Sequence, residues 1–181
     1  LYIERGHKRG ARAVIEATWK LNPHKDLVPL WEQLVPSAKA SDVSAKLRWF
    51  EKLVALRPDN AESQLAAARV ALGDALWGQA RDYLKMAEQI QVSARLCRLY
   101  AELEDKLYKS AQARTWLEKA ADAPPDKVWT CRETGLIYER WSPVARPHGS
   151  FNTIVWEYPR SRAPLGTQAL LPQNELLIAA R

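Results

Sequence analysis

The residues best suited to chemistry in this 181-residue chain are two cysteines and three histidines. The cysteines are Cys97 and Cys131, and the histidines are His7, His24 and His148. Thiolate sulfur and imidazole nitrogen are the usual zinc donors, but a closed structural zinc site needs about four of them. Two cysteines also cannot form a disulfide framework, so the composition favours a reducing compartment.

A spacing typical of a metal ribbon surrounds Cys131. Cys131 and Thr134 have the C-x2-C spacing of the first half of a zinc knuckle, and Ala145 and His148 have that of the second half. Only Cys131 and His148 are credible donors, so we expect no bound metal. We interpret the segment as a rubredoxin-like ribbon without its metal, in which aromatic side chains take over the stabilising role of the ion.

No other motif of an active site accompanies these residues. The seven glycines form neither a phosphate-binding loop nor a dinucleotide-binding turn, and no nucleophile elbow is present. We therefore expect no catalytic residue and no cofactor site. His24 follows a proline at a predicted helix start, where a turn or capping contact is favoured over a role as ligand. Cys97 is interpreted as a small buried residue of a helix.

A helical repeat makes up most of the chain. The stretches from Ala80 to Ala87 and from Ala113 to Ala120 both read A-R-x-aromatic-L-x-x-A, 33 residues apart, and looser copies occur around Leu53 and Ala17. Small residues at i and i+7 with a large residue at i+4 share one helix face and allow close packing of helices. This period is typical of tetratricopeptide-like helix hairpins stacked as a solenoid. The predicted helices lie near 1–21, 25–35, 42–56, 60–73, 77–90, 93–105 and 109–122.

Short aromatic and β-branched runs replace the helical pattern after residue 125 and predict a small antiparallel β unit. The predicted strands span 128–132, 136–141 and 153–158, with Trp129, Trp141 and Trp156 either as the core of this unit or as its contact with the last helix. Three strands alone are marginal in water, so we expect this unit to cap the end of the repeats. The predicted fold is thus mainly α, with helical repeats over 1–125, a β cap over 126–158, and a linker and tail over 159–181.

The net charge of +6 is concentrated near the start of the chain, where Arg5, Lys8, Arg9 and Arg12 cluster. Such a cluster can contact nucleic acid or anionic lipid. The interleaved aromatics and second basic stripe of a nucleic-acid surface are missing, so we interpret it as a solvated helix face and expect no nucleic-acid partner. No apolar run is long enough to cross a membrane, and the chain opens on Leu1. We therefore expect an excised, soluble segment.

Several strings, together with the repeats, make the chain resemble the tetratricopeptide HemY family of the alphaproteobacterial type. These strings are Asn22 to Leu27, Leu76 to Arg81, Ala121 to Gly135, Trp141, and Phe151 to Thr153. The first-helix signature of the repeat is degraded here. More distantly, the chain is similar to lipopolysaccharide-assembly tetratricopeptide proteins that end in a four-cysteine ribbon.

The HemY resemblance implies a non-catalytic scaffold at the bacterial inner membrane, associated with haem (porphyrin) biosynthesis. It implies a protein partner such as ferrochelatase or another late haem-pathway enzyme, an upstream membrane anchor, and a cytoplasmic-side location for this segment. An unrelated flavin-dependent protoporphyrinogen oxidase shares the family's name, but it needs the dinucleotide turn that is missing here.

The partner groove of such a solenoid is lined by first-helix side chains. In this sequence they include Arg69, Arg95, Arg98 and Glu102, a set that suits an acidic peptide or partner surface. Two alternatives stay open at this point. One is a metal- or haem-binding module that uses Cys131 with His148 or His24, and the other is a scaffold for envelope lipopolysaccharide assembly.

Overall fold

The computed structural model describes residues 6–36 and 44–159, together with residues 3 and 42. Within these residues seven α-helices precede five short β-strands. The helices are α1 (Lys8–Leu21), α2 (Val28–Glu32), α3 (Ala45–Leu56), α4 (Ala61–Gly73), α5 (Trp77–Ile90), α6 (Ala94–Lys106) and α7 (Ser110–Asp122). The strands are β1 (Val128–Cys131), β2 (Ile137–Tyr138), β3 (Val144–Ala145), β4 (Ser150–Phe151) and β5 (Ile154–Glu157).

The chain divides after Pro124 into two compact units, which we call the helical unit and the β unit. The prediction of a mainly helical protein with a small antiparallel sheet near its C-terminal end is confirmed. The predicted linker and tail fall, from residue 160 onward, outside the described residues. None of the helices in the described part of the chain is long and apolar enough to cross a membrane.

The hairpins α4–α5 and α6–α7 begin and turn in the same way, 33 residues apart. Each first helix is capped by a side chain: Asn60 Oδ1 accepts from Glu62 N at 2.9 Å, and Ser93 Oγ accepts from Leu96 N at 3.2 Å. Asparagine and serine at this position satisfy an amide that the helix leaves unpaired. The sequence period therefore corresponds to a period of the backbone itself.

The turns inside the two hairpins also match. Ala75 and Tyr108 have φ of 57° and 58°. In each turn the amide of the following residue donates a hydrogen bond of 2.8 Å to the carbonyl of the residue five positions earlier in the chain. A left-handed residue is a common way to end a helix, although glycine occupies that position more often. The two connections therefore reverse the chain by one shared geometry.

Helix α4 lies at the centre of the helical unit and packs against α3, α5 and α6. Its buried positions are mostly small, with Ala66, Ala67, Ala68 and Ala71 each at most 1% exposed. Small side chains allow neighbouring helix axes to approach closely. Large residues of the surrounding helices then fill the remaining space, and each fully buried leucine contributes about 1.5–3 kcal/mol. These leucines are Leu53, Leu84, Leu96 and Leu103.

Three buried tryptophans hold the segments that precede α4. Trp31 and Trp49 stack with ring centroids 4.7 Å apart, and the indole N–H of each donates to the backbone carbonyl of the other at 3.2 Å. Trp19 donates to Ser63 Oγ at 3.0 Å. A buried donor without a partner costs about 1–3 kcal/mol, so these bonds make the burial of the indoles favourable.

The segment before α3 differs most from the predicted helices. The region predicted as a helix over 25–35 is a 3-10 turn, Lys25–Leu27, followed by the short α2. Pro29 fits the first turn of α2, but Pro36 disfavours helical geometry at the residue before it, which limits the helix. In α1 the buried face is Ala11, Ile15 and Trp19, so the register inferred from Ala17 is wrong.

The β unit contains a sheet of order β2–β1–β5, antiparallel throughout. Trp129 pairs with Tyr138 on one side and with Trp156 on the other, which places the three rings on one face. The segment 142–150, predicted as a loop, contains a second hairpin, β3–β4. Trp141, which was predicted as a core residue or as a contact with the last helix, is 48% exposed, and it lies between β2 and β3, so it is not part of the core.

Candidate functional site

Two turns of the β unit, 131–135 and 145–149, are closed in the same way. In each turn the amide of the last residue, a glycine, donates to the carbonyl of the first residue at 2.8 Å. Gly135 and Gly149 have φ of 73° and 79°, a region that glycine adopts without strain. The spacing in the sequence therefore corresponds to two matching turns, which we call the first knuckle and the second knuckle.

Cys131 lies where the two knuckles meet. Its Sγ is 3.4 Å from His148 Nε2 and 3.3 Å from Thr153 Oγ1. The cysteine is fully buried, whereas His148 is exposed. Burial raises the pKa of the thiol, but hydrogen bonds from Thr134, Thr153 and His148 outweigh this effect and lower the pKa to about 6. The lowered pKa favours the thiolate form of the sulfur, which accepts hydrogen bonds from these groups.

The four ribbon positions do not supply the donors of a zinc site. Ala145 carries no donor atom and Thr134 offers only a hydroxyl, which leaves the sulfur of Cys131 and the imidazole of His148. A closed structural site uses four protein donors. Among the residues that the structure describes, no group of three or more histidine, cysteine, aspartate or glutamate side chains could hold a metal ion. The four-cysteine ribbon of the more distant resemblance is thus not matched by this donor set.

The side chains predicted to line a partner groove lie on the neighbouring helices α4 and α6. Arg69 on α4 and the pair Arg98 and Glu102 on α6 are exposed. We call these three residues the α4/α6 surface. Arg95 is different: its side chain is 21% exposed, and its Nη1 lies 2.7 Å from Glu62 Oε2. The α4/α6 surface therefore carries two positive charges and one negative charge, and Arg95 on α6 forms an ion pair with Glu62.

Two ion pairs that were not predicted from the sequence link successive hairpins. Glu62 and Arg95 occupy equivalent positions of α4 and α6, 33 residues apart. Opposite charges at one repeat position were the signal that could have revealed this pair. The second pair joins buried Glu104 to Arg81 at 2.7 Å, with Lys109 Nζ at 3.8 Å from the same carboxylate. A buried carboxylate needs such partners, so both pairs help to fix the stacking of the hairpins.

His24 and Cys97 occupy the structural roles predicted for them. His24 is buried, and its Nδ1 accepts from Asp26 N at 3.1 Å, so the predicted capping contact is confirmed. Burial lowers the pKa of His24, and the Asp26 carboxylate opposes that shift. Cys97 is a buried residue of α6, as predicted. Neither residue lies in a group of metal donors within the described part of the chain.

Comparison with known proteins gives one distant similarity. No protein-family profile matches the chain, and no solved structure matches it significantly. The chain is 27% identical over 172 residues to the probable magnetosome protein Mms48 of Magnetospirillum gryphiswaldense. The aligned region covers 94% of this chain but 37% of that protein, so the chain spans little more than a third of the relative's length.

Proposed function

We propose that the chain is a non-catalytic scaffold that binds another protein through the α4/α6 surface. The observation that carries this proposal is the repeated helix hairpin, in which the cap of the first helix and the turn between the helices recur after 33 residues. Stacked hairpins of this kind expose the side chains of successive first helices as one extended surface. Tetratricopeptide proteins use such a surface for partner binding, and we propose the same use here.

The charge of the α4/α6 surface defines the partner it suits. Arg69 and Arg98 are exposed guanidinium groups, which bind carboxylates in a bidentate manner. Glu102 lies one helical turn beyond Arg98, so a partner segment with acidic residues and one basic residue complements the surface best. Arg95 is left out of the surface in this proposal because its side chain is only 21% exposed and contacts Glu62.

The biological setting is also a proposal. The HemY resemblance favours a role in haem biosynthesis at the bacterial inner membrane, with ferrochelatase or another late haem-pathway enzyme as partner. The name of the 27% identical relative favours a magnetosome-associated setting instead. The distant resemblance to lipopolysaccharide-assembly proteins favours a third setting, the assembly of envelope lipopolysaccharide. One capture experiment separates these three settings.

The test is affinity capture of the intact tagged protein from its own cells after cross-linking, read by mass spectrometry. We expect one abundant partner, whose recovery falls at least tenfold with the double variant Arg69→Glu and Arg98→Glu. The matched control is Arg114→Glu, since Arg114 is an exposed arginine of α7 outside the α4/α6 surface. Equal losses in both variants, or no loss in either, would show that this surface does not bind the partner.

The alternative of a metal- or haem-binding module is less well supported. The sulfur of Cys131 is buried and accepts hydrogen bonds, and Nδ1 of His24 is used in a capping contact. Elemental analysis and a visible absorption spectrum of the purified protein check this alternative. We expect no stoichiometric metal and no Soret band, and either signal would favour the module over the scaffold.

A further inference from the structure

The apolar core between the two knuckles is small. Its buried members are Cys131, Ala145 and Ile154, with Trp129 and Tyr138 packed against them. A sheet of three strands with so few buried apolar side chains is only marginally stable in water. In ribbons with four metal donors the ion provides the missing stability, but this donor set lacks two of the four.

We propose that a hydrogen-bonded sulfur centre on Cys131 replaces a metal ion as the link between the two knuckles, and that the β unit loses stability when this sulfur is protonated. The proposal does not depend on the scaffold function of the helical unit.

The geometry of the donors supports this link. Hydroxyl and imidazole groups reach the sulfur from three places in the chain: Thr134 in the first knuckle, His148 in the second knuckle, and Thr153 just before β5. A thiol donates one hydrogen, whereas a thiolate accepts several bonds at once. With the sulfur ionised, His148 bonds to it through a hydrogen on Nε2. The ionised sulfur therefore holds three segments together, as a metal does with its ligands.

The other titratable and charged groups near the sulfur do not compete with this role. Burial raises the pKa of Tyr138 on β2, and the negative charge of Cys131 raises it further, so the phenol stays neutral and donates to Arg146 O at 2.8 Å. Arg132 and Glu133 in the first knuckle and Arg146 in the second are exposed. Exposed charges interact weakly because water and salt screen them.

The direction of the pH effect follows from the direction of the pKa shift. The pKa of Cys131 is lowered from 9.0 in its ordinary environment to about 6 in the folded chain. Such a group stabilises the fold fully above its unfolded pKa, and this stabilisation is lost as pH falls through the folded value. Between about pH 9 and about pH 6 we expect the folding equilibrium constant of the β unit to fall by up to about tenfold per pH unit.

The first test is a titration of the thiolate by ultraviolet absorbance in the Cys97→Ala variant of the full chain, where Cys131 is the remaining thiol. We expect a midpoint near the folded pKa of about 6, and a midpoint near the ordinary value of 9.0 would overturn the proposal. A stoichiometric metal that is present in the purified protein and absent from Cys131→Ser would overturn it as well.

The second test changes the donors and leaves the sulfur in place. We expect His148→Ala and Thr153→Val to move the midpoint upward, and His148→Gln, which keeps an N–H donor, to move it less than His148→Ala. The control is Thr115→Val, which removes an exposed hydroxyl from α7. Because His148 is exposed, its variants are expected to fold even where Cys131→Ser does not. Identical midpoints in His148→Ala and the unchanged chain would contradict the proposed link.

A third measurement connects the sulfur to stability. Urea titrations followed by the NMR signals of β1 and β5 are recorded near pH 6 and near pH 8. We expect the unchanged chain to lose more stability at the lower pH than His148→Ala does. The same pH dependence in both proteins would show that the sulfur centre does not link the knuckles.

Discussion

Glu104 shows how one side chain can hold a junction between helices. It is 4% exposed, and it meets Arg81 from α5 and Lys109 from the turn before α7. Both partners are more exposed than the carboxylate, so their charges remain partly solvated while that of Glu104 is not. The stability of this junction therefore depends mainly on whether the buried acid keeps its partners.

The first prediction concerns Glu104→Gln. The amide keeps the shape of the side chain but removes the charge that Arg81 contacts, so we expect a loss of about 1–2 kcal/mol in the free energy of unfolding. Urea denaturation followed by circular dichroism measures this loss. In a double-mutant cycle with Arg81→Gln the two losses should be less than additive, and strict additivity would contradict a direct interaction.

At the scale of elements, the periodic helices are what the sequence predicts best. Helices α4 to α7 begin and end within one residue of the predicted bounds, because capping residues and small-residue faces recur every 33 positions. The short α2 and the hairpin β3–β4 carry no periodic signal and could not be predicted in this way. The Cys131–His148 contact was anticipated only as a spacing in the sequence. The contact between Cys131 Sγ and Thr153 Oγ1 was not anticipated, because it depends on how β5 packs beside β1.

The second prediction concerns the matching turns of the hairpins. Ala75 and Tyr108 hold a left-handed backbone that costs a non-glycine residue of order 1 kcal/mol. We expect Ala75→Gly and Tyr108→Gly each to raise the free energy of unfolding by about 0.5–1 kcal/mol. The control is Ala55→Gly, at an exposed position within α3, which should lower stability by a similar amount. Thermal unfolding of the three variants decides the matter, and a loss in all three would contradict the expected relief of strain.

The third prediction tests whether the knuckles have kept the geometry of a metal ribbon. The double variant Thr134→Cys and Ala145→Cys adds two sulfur donors to Cys131 and His148, which completes the four donors of a structural zinc site. We expect it to bind one equivalent of cobalt or zinc, with the visible absorption of tetrahedral cobalt thiolates as the readout. Thr134→Cys alone serves as the control and should bind much more weakly. Equal binding by both variants would show that position 145 does not face the site.

At the scale of the whole molecule, the two units rely on different stabilising interactions. The helical unit has a large apolar core in which alanines and leucines alternate around α4. The β unit has a small core and a hydrogen-bonded sulfur at its centre. Chains made of two such units need not unfold in a single transition, so the stability of each unit is best followed by its own signal.

The fourth prediction concerns the ionic strength at which a partner is captured. The α4/α6 surface binds through exposed charges in our proposal, and such interactions are screened over about 10 Å at 0.1 M salt. We expect partner recovery to fall steadily as salt is raised during capture, mainly through a slower association rate. The Arg69→Glu and Arg98→Glu double variant should lack this dependence. Recovery that is insensitive to salt would indicate an apolar interface elsewhere on the protein.

The pairing of Glu62 with Arg95 gives the stack of hairpins a direction. The two residues stand at the same position of successive hairpins, so the acidic hairpin must precede the basic one for the charges to match. A tandem duplication of either hairpin during evolution would bring two glutamates or two arginines together in a partly buried place, where like charges repel. The repeats of this chain are therefore no longer interchangeable modules, and lengthening the stack requires a compensating change of charge at that position.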